Sequence, residues 1–224
     1  MIRHLPNALT CLNLVTGAAG CISILKGDTE HAIYFVLVAG LFDFFDGFAA
    51  RLLRVQSAIG KELDSLADMI SFGLLPSLYL FVQLEQVTSR PYLPYIALTV
   101  AAFSALRLAK FNIDESQSDR FVGVPTPANA ILITSITFLP TSVEAGPVLF
   151  TVIALATSYL LVSNLPMIAL KFKGLAWQPN KWKYLLILSI IVLLSLFQVS
   201  SLPFLIPAYL VISILGNFID SKNV

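Results

Sequence analysis

The sequence predicts an all-α bundle of about eight membrane-spanning helices with both termini on the cytoplasmic side. Three observations predict it. Only 12% of the residues are charged and 57% are hydrophobic, whereas soluble globular chains carry roughly 25% charge. Apolar runs close to the ~20 residues that a bilayer crossing requires recur along the whole chain. Lysine and arginine collect on alternate connections between those runs. No linker is long enough to set off a second part, so residues 1–224 read as a single membrane domain. A net charge of +1 supplies no basic field, which argues against nucleic acid as a partner.

The runs can be justified in order. The first, near 6–26, could pass for a cleaved leader, but it is long and holds Asn7 and Asn13, so it reads as a retained helix. Its Cys11 and Cys21 read as small buried hydrophobes, not as a redox pair. The second run, near 31–54, ends on Arg51 and Arg54, and the third covers 65–86. The fourth, near 92–111, runs into "RLAKFN". The fifth, near 125–141, opens on "VPTPANA", whose prolines predict a kinked or re-entrant start. Runs near 146–171, 183–199 and 203–219 complete the eight. Eight crossings put both termini on one side, together with Arg3, Arg51, Arg54, Lys61, Arg107, Lys110, Arg120, Lys171, Lys173, Lys181, Lys183 and Lys222. The other side keeps only Lys26 and Arg90, a bias that makes the first side cytoplasmic. Trp177 and Trp182 bracket the lysine-rich "KFKGLAWQPNKWK", which reads as an interfacial anchor able to attract anionic headgroups. His4 and His31 are isolated and read as interfacial.

The stretch "FDFFDGFAARLLRVQSAIGKELDSLADM" breaks the apolar pattern with Asp43, Asp46, Asp64 and Asp68. Spacings of three and four place each pair on one helical face, and an antiparallel hairpin would bring all four together. Carboxylates that close repel strongly at reduced dielectric, and a divalent cation removes the conflict. With no histidine or cysteine nearby, oxygen ligands favour Mg²⁺, Mn²⁺ or Ca²⁺ over zinc. Four carboxylates can hold two ions, an arrangement suited to phosphoryl chemistry. Gly47 and Ala50 leave room beside the first pair, Arg51 offers a planar fork to a phosphate, and Gly60 loosens the connection before the third helix. Small residues in membrane helices also serve plain packing. Intramembrane carboxylates can instead line a path for divalent cations, but such a path wants acids near the midplane, and Arg51 would repel the ion. Asn7, Thr10 and Asn13 recur every three residues on the first helix, where interhelical hydrogen bonding is the ordinary explanation.

Written out, Asp43-x2-Asp46-Gly47-x2-Ala50-Arg51-x8-Gly60-x3-Asp64-x3-Asp68 resembles, at every fixed position, the signature of the CDP-alcohol phosphatidyltransferase family. Its members are membrane enzymes that displace CMP from a CDP-linked lipid with an alcohol. The resemblance implies a site for two divalent cations, Mg²⁺ or Mn²⁺, on Asp43, Asp46, Asp64 and Asp68, with Asp68 as general base. It also implies that CDP-diacylglycerol is held by Asn7 and Thr10 of "PNALT" together with Gly47, Ala50, Arg51, Ser57 and Gly60, and that the chain pairs as a homodimer, while the charge bias of the connections puts the site on the cytoplasmic side of the cytoplasmic membrane.

A second stretch, "RLAKFNIDESQSDRFVGVPTPANA", resembles the "RLARFN … FxGLPxPxA" segment of the bacterial and archaeal members that use serine, with Lys110 in place of arginine and Val124 in place of leucine. The resemblance therefore implies L-serine as acceptor. Serine is a zwitterion and needs a cation for its carboxylate and an acceptor for its ammonium. Arg107, Lys110 and Asn112 are the candidate acceptor-binding residues, and Asp114, Glu115 and Asp119 are available to the ammonium. Glycerol 3-phosphate, an inositol-type acceptor and an archaeal ether lipid remain alternatives.

Overall fold

The computed structural model describes residues 2–55, 57–113, 121–139, 146–168, 174 and 176–221. Helix α1, Leu5–Leu25, opens with Pro6 in its first turn, where the missing N–H is harmless. Gly27, at a φ of 93°, turns the chain after it. Helix α2, Ala32–Leu53, stops at Arg54, which takes a left-handed conformation while the N–H groups of Arg54 and Val55 close on the carbonyls of Arg51 and Ala50.

Helix α3, Ala58–Asp68, begins earlier than the expected 65. Residues 58–64 are half polar, so a search for apolar runs passes over them, but the Ser57 hydroxyl caps the helix by accepting from the Gly60 N–H at 3.0 Å. Gly60 thus lies in the first turn of the helix and not in the connection before it. A π-helical turn, Met69–Leu74, joins α3 to α4, Leu75–Val87, making one continuous rod over Ala58–Val87. Pro76 explains the wider turn: its ring opposes the carbonyl four residues back and it has no N–H to give, so i→i−4 bonding fails there.

A 3₁₀ turn, Leu93–Ala97, leads into α5, Leu98–Ile113. Strand β1, Phe121–Val122, pairs antiparallel with β2, Pro166–Met167, in a two-residue ladder. Helix α6, Thr126–Thr134, continues as a 3₁₀ turn to Phe138. Helix α7, Pro147–Val162, ends well short of the expected 171, because Pro166 forces the chain into extended form. Helices α8, Trp177–Phe197, and α9, Leu202–Ser221, form the final pair.

Counting α3 with α4 as one, the described residues build eight rods, as the sequence predicts. Those over Leu5–Leu25, Ala32–Leu53, Ala58–Val87 and Leu93–Ile113, and the α8–α9 stretch Asn180–Ile219, are long and apolar enough to cross a bilayer; α6 and α7 are shorter. The chain is an integral membrane protein. The α3–α4 rod is its axis and the most buried of these stretches, whereas α8–α9 is the least buried, so the last pair presents its surface to lipid or to another chain. Phe72, Leu75, Tyr79, Leu80 and Leu84 of this axis pack on Ile24 of α1, Val36 of α2, Val100 of α5 and Ile133 of α6. Gly17 and Gly20 let α1 lie directly on Ser71 and Leu75. Trp182 packs on Gly216 of α9, while Trp177 stays exposed and stacks on Tyr184. Cys11 and Cys21 are free thiols. Asp114, Glu115, Asp119, Arg120, Lys171, Lys173 and Lys222 lie outside the described residues.

Candidate active site

The turn between α2 and α3 folds the two aspartate pairs onto each other. Ligand oxygens of Asp43, Asp64 and Asp68 all lie within 4.8 Å of one another. Ionised carboxylates that close repel one another unless a proton or a cation comes between them. Asp46 is the electrostatic neighbour of Asp64 and completes the acidic group. Asp46 and Asp68 are buried, and Oδ1 of Asp64 is buried with no partner.

Helix α1 closes the group from the side with neutral donors. The Thr10 hydroxyl donates to Oδ2 of Asp46 at 2.7 Å. The Asn13 amide donates to Oδ1 of Asp68 at 3.1 Å, and the Asn13 backbone carbonyl accepts from Ser71 in the π-helical turn at 3.0 Å. Asn13 reads from sequence as a helix–helix contact. Its position three residues after Thr10, on the same face, was the signal that it belongs with the aspartates.

Beside the acids opens a cavity of about 550 Å³. Of the residues expected to hold the nucleotide-linked lipid, Asn7, Thr10, Gly47, Ala50, Ser57 and Gly60 line it, together with Asp46 and Asp64. The Arg51 guanidinium lies across Gly47, so the one-turn spacing places it at the rim, exposed. Lys61 also lines this cavity, and sequence reading counted it only as part of the charge bias.

A second cavity, about 430 Å³, lies between the last turn of α5 and the end of α7. Arg107 and Lys110 line it, as do Ser163 and Asn164, which the sequence did not single out. Arg107 is 8% exposed, its Nε has no partner, and its carboxylate neighbour is Asp68. The acidic group therefore stands between the cavities, with Asp64 lining the first and Asp68 facing the arginine of the second. Asn112 is not part of that wall. Its amide donates to Ser65 at 2.9 Å and its carbonyl accepts from Lys61 at 2.7 Å, so it ties α5 to α3 beside Asp64.

The donor set fits a divalent cation. Three carboxylates converge from two helices, every ligand is oxygen, and a buried carboxylate oxygen is left without a proton donor. What the fold and site define is a polytopic membrane protein with a carboxylate centre between two polar cavities. A sequence model of the CDP-alcohol phosphatidyltransferase family matches residues 3–218, and the chain belongs to that family. The family is divalent-metal dependent. The chain is 33% identical over 168 residues to the CDP-diacylglycerol–serine O-phosphatidyltransferase of Bacillus subtilis, covering 73% of this chain and 89% of that one. It is 31% identical over 192 residues to the protein of the same name from Mycobacterium bovis, covering 80% and 65% of the two chains. The archaetidylserine synthase of Methanothermobacter thermautotrophicus is 32% identical over 133 residues, 58% of this chain and 56% of that one.

Proposed function

We propose that the chain transfers the phosphatidyl group of CDP-diacylglycerol to the hydroxyl of L-serine, giving phosphatidylserine and CMP. The observation that carries the proposal is the convergence of Asp43, Asp64 and Asp68 beside a nucleotide-sized cavity, with the buried Arg107 cation facing Asp68 from the other side.

In this reading the first cavity takes the CDP headgroup. Asn7, Thr10 and Ser57 offer polar contacts to it, Gly47, Ala50 and Gly60 leave it space, and Arg51 pairs with the diphosphate. Two divalent cations, Mg²⁺ or Mn²⁺ with Ca²⁺ as a further oxygen-ligated choice, would sit on Asp43, Asp46, Asp64 and Asp68 and supply charge neutralisation for the diphosphate and departing CMP. Arg107 and Lys110 hold the acceptor's carboxylate. Asp68 takes the proton of the serine hydroxyl, whose pKa is far above neutral, so a base is required. The hydroxyl oxygen bonds to the phosphorus that carries diacylglycerol, the bond from that phosphorus to CMP breaks, and CMP leaves. Asn13 holds the base carboxylate in position.

The charge bias of the connections supports a cytoplasmic-membrane protein with this site on the cytoplasmic side. We take the chain as one domain, in keeping with a family match over nearly its whole length. We also take the chain to be a homodimer, with exposed Ala102 and Ala105 of α5 available for close contact; Gly73, by contrast, is used within the chain against Ser104. The likeness to an archaetidylserine synthase supports a second reading in which the donor is an ether lipid and the acceptor is unchanged.

The test is CMP release by purified protein. Release that needs serine and stops with EDTA is the expected result. Release with glycerol 3-phosphate and not with serine would move the acceptor, and chelator-insensitive release would sink the metal reading. A cation path predicts ion flux into proteoliposomes and no CMP.

A further inference from the structure

We infer that Lys61 couples the two cavities: its ammonium holds the end of α5 and, with its remaining N–H groups, a phosphate of the CDP-lipid, so that arrival of the donor fixes the acceptor side. This rests on the phosphatidyl-transfer reading above and goes beyond it by naming the residue through which one substrate strengthens binding of the other.

Lys61 is out of place as a plain helix residue. It lies at the end of the first turn of α3, where a cation opposes the dipole of its own helix. Two features outside α3 account for the charge. The first is the end of α5. The Lys61 ammonium donates to the Asn112 carbonyl at 2.7 Å. The last carbonyls of a helix lack intrahelical donors and carry the negative end of its dipole, so a cation is well placed there. Ser65, one turn further along α3, accepts from the Asn112 amide at 2.9 Å. Helix α3 therefore grips the last turn of α5 at two points. Arg107 and Lys110, which line the second cavity, belong to the same rod.

The second feature is the first cavity. Among the described residues that line it, Lys61 carries the only positive charge, beside the acidic Asp46 and Asp64. An ammonium has three N–H donors. One goes to Asn112, which leaves two for a phosphate oxygen, a ligand that lysine binds as a point charge.

Both attachments share one long, exposed side chain, and that makes them cooperative. Holding such a chain in a single geometry sacrifices rotamer freedom. A phosphate in the first cavity imposes that loss once, and the bond to Asn112 then forms without it. The end of α5 is held more firmly, and Arg107 and Lys110 with it. An empty first cavity leaves the lysine free to swing away and the grip on α5 to the Ser65 contact alone.

Two measurements on the full-length protein in detergent with Mg²⁺ or Mn²⁺ test this. One is equilibrium binding of radiolabelled CDP-diacylglycerol. The other is CMP release over a grid of CDP-diacylglycerol and L-serine concentrations, where the serine KM at low donor divided by that at saturating donor gives a coupling factor. Wild-type protein should give a factor of about five or more. Lys61→Met keeps most of the stem without the charge; it should weaken donor binding about tenfold and bring the factor to about one. Lys61→Arg keeps a cation with spare donors and should retain most of both. A wild-type factor of about one overturns the inference while sparing phosphatidyl transfer to serine. So does a Lys61→Met protein whose factor, or whose donor affinity, stays within about twofold of wild type. Donor binding that falls in Lys61→Met only in proportion to folded protein, followed by thermal unfolding, makes the lysine a plain tie between helices and also overturns it. Wild-type protein that binds the labelled donor but releases no CMP with serine overturns the parent reading and this inference with it.

Discussion

Replacing Asn13 by leucine should separate the stability of this protein from its activity. The side chain is fully buried and makes one contact of consequence, the 3.1 Å donation to Asp68, while its own Oδ1 has no partner. An unsatisfied buried acceptor costs about 1–3 kcal/mol, so a leucine of similar size removes that cost along with the hydrogen bond. The contact from Ser71 goes to the backbone carbonyl of residue 13 and survives the change. Loss of a hydrogen bond to a charged group is worth roughly 1.5–3 kcal/mol. At about 1.4 kcal/mol per factor of ten, kcat should fall about ten- to a hundredfold if that bond holds Asp68 for proton abstraction. In the folded state the loss of that bond and the gain at Oδ1 nearly cancel, so thermal unfolding in detergent should show a midpoint close to that of wild type. The serine KM should stay within about threefold, because Asn13 lines neither cavity. A kcat within about twofold of wild type refutes the positioning role, and a kcat loss that tracks loss of folded protein refutes the energetic reasoning.

Other perturbations test other parts of the argument. Asp43→Asn, Asp46→Asn and Asp64→Asn should lower activity and raise the concentration of metal needed for half-maximal rate, whereas Asp68→Asn should abolish turnover while sparing CDP-lipid binding, as measured by a binding assay with labelled donor. Gly17→Leu should destabilise by about 1–3 kcal/mol, because the new side chain has to displace Ser71 from the π-helical turn; a lowered midpoint in detergent melting checks it. On the opposite side of the membrane, Asp28 and His31 pair at 2.7 Å, which raises the imidazole pKa above its ordinary value and lowers that of the carboxylate. The histidine's share of the pairing is complete below its ordinary pKa and fades as pH rises through the raised one; the aspartate's share is complete above its ordinary pKa and fades as pH falls through the lowered one. NMR titration should therefore give His31 a midpoint above the ordinary histidine value that returns on Asp28→Asn, with no change in CMP release.

Much of this architecture is written in local chemistry, and the parts that are not have identifiable reasons. Apolar runs locate all eight rods because a bilayer filters for hydrophobic length. The start of α3 escapes that filter because "AIGKELD" is amphipathic, although Ser57 three residues before Gly60 is a readable cap. The early end of α7 was legible in Pro166, which disfavours helix at the residue before it. The π-helical turn was not: Pro76 marks a disturbance, but whether it kinks, ends or widens the helix depends on what packs there, here Ser104 against Gly73 and Ser71 against α1.

The site divides the same way. The aspartates are legible because their spacing is covalent and their burial among apolar residues demands a partner. Asn164 is not, since "SNLP" after an apolar run looks like any helix stop until α7 closes on α5. What the structure adds is a way to tell working polar groups from quiet ones. Many hydroxyls away from the centre return to their own helix, as Thr134 to Ala130, Thr151 to Pro147, Thr157 to Ile153 and Ser189 to Leu186, and others, such as Ser77 to Ala97, bond to a neighbouring element. Buried polar atoms left without partners behave differently, because in an apolar surrounding each is costly unless something arrives to satisfy it. Among the described residues these include Asn13, Asp64 and Arg107, all at the acidic centre or its flanking cavity, and Ser104, one turn before Arg107 on α5. The Asn129 carboxamide on α6 also has neither atom paired. Its helix packs on the same π-helical turn that follows Asp68, so unsatisfied polarity collects around one short segment of the bundle axis. A membrane protein that gathers unmet hydrogen-bonding capacity there, while meeting it within the fold elsewhere, is built to be completed by polar ligands at that point.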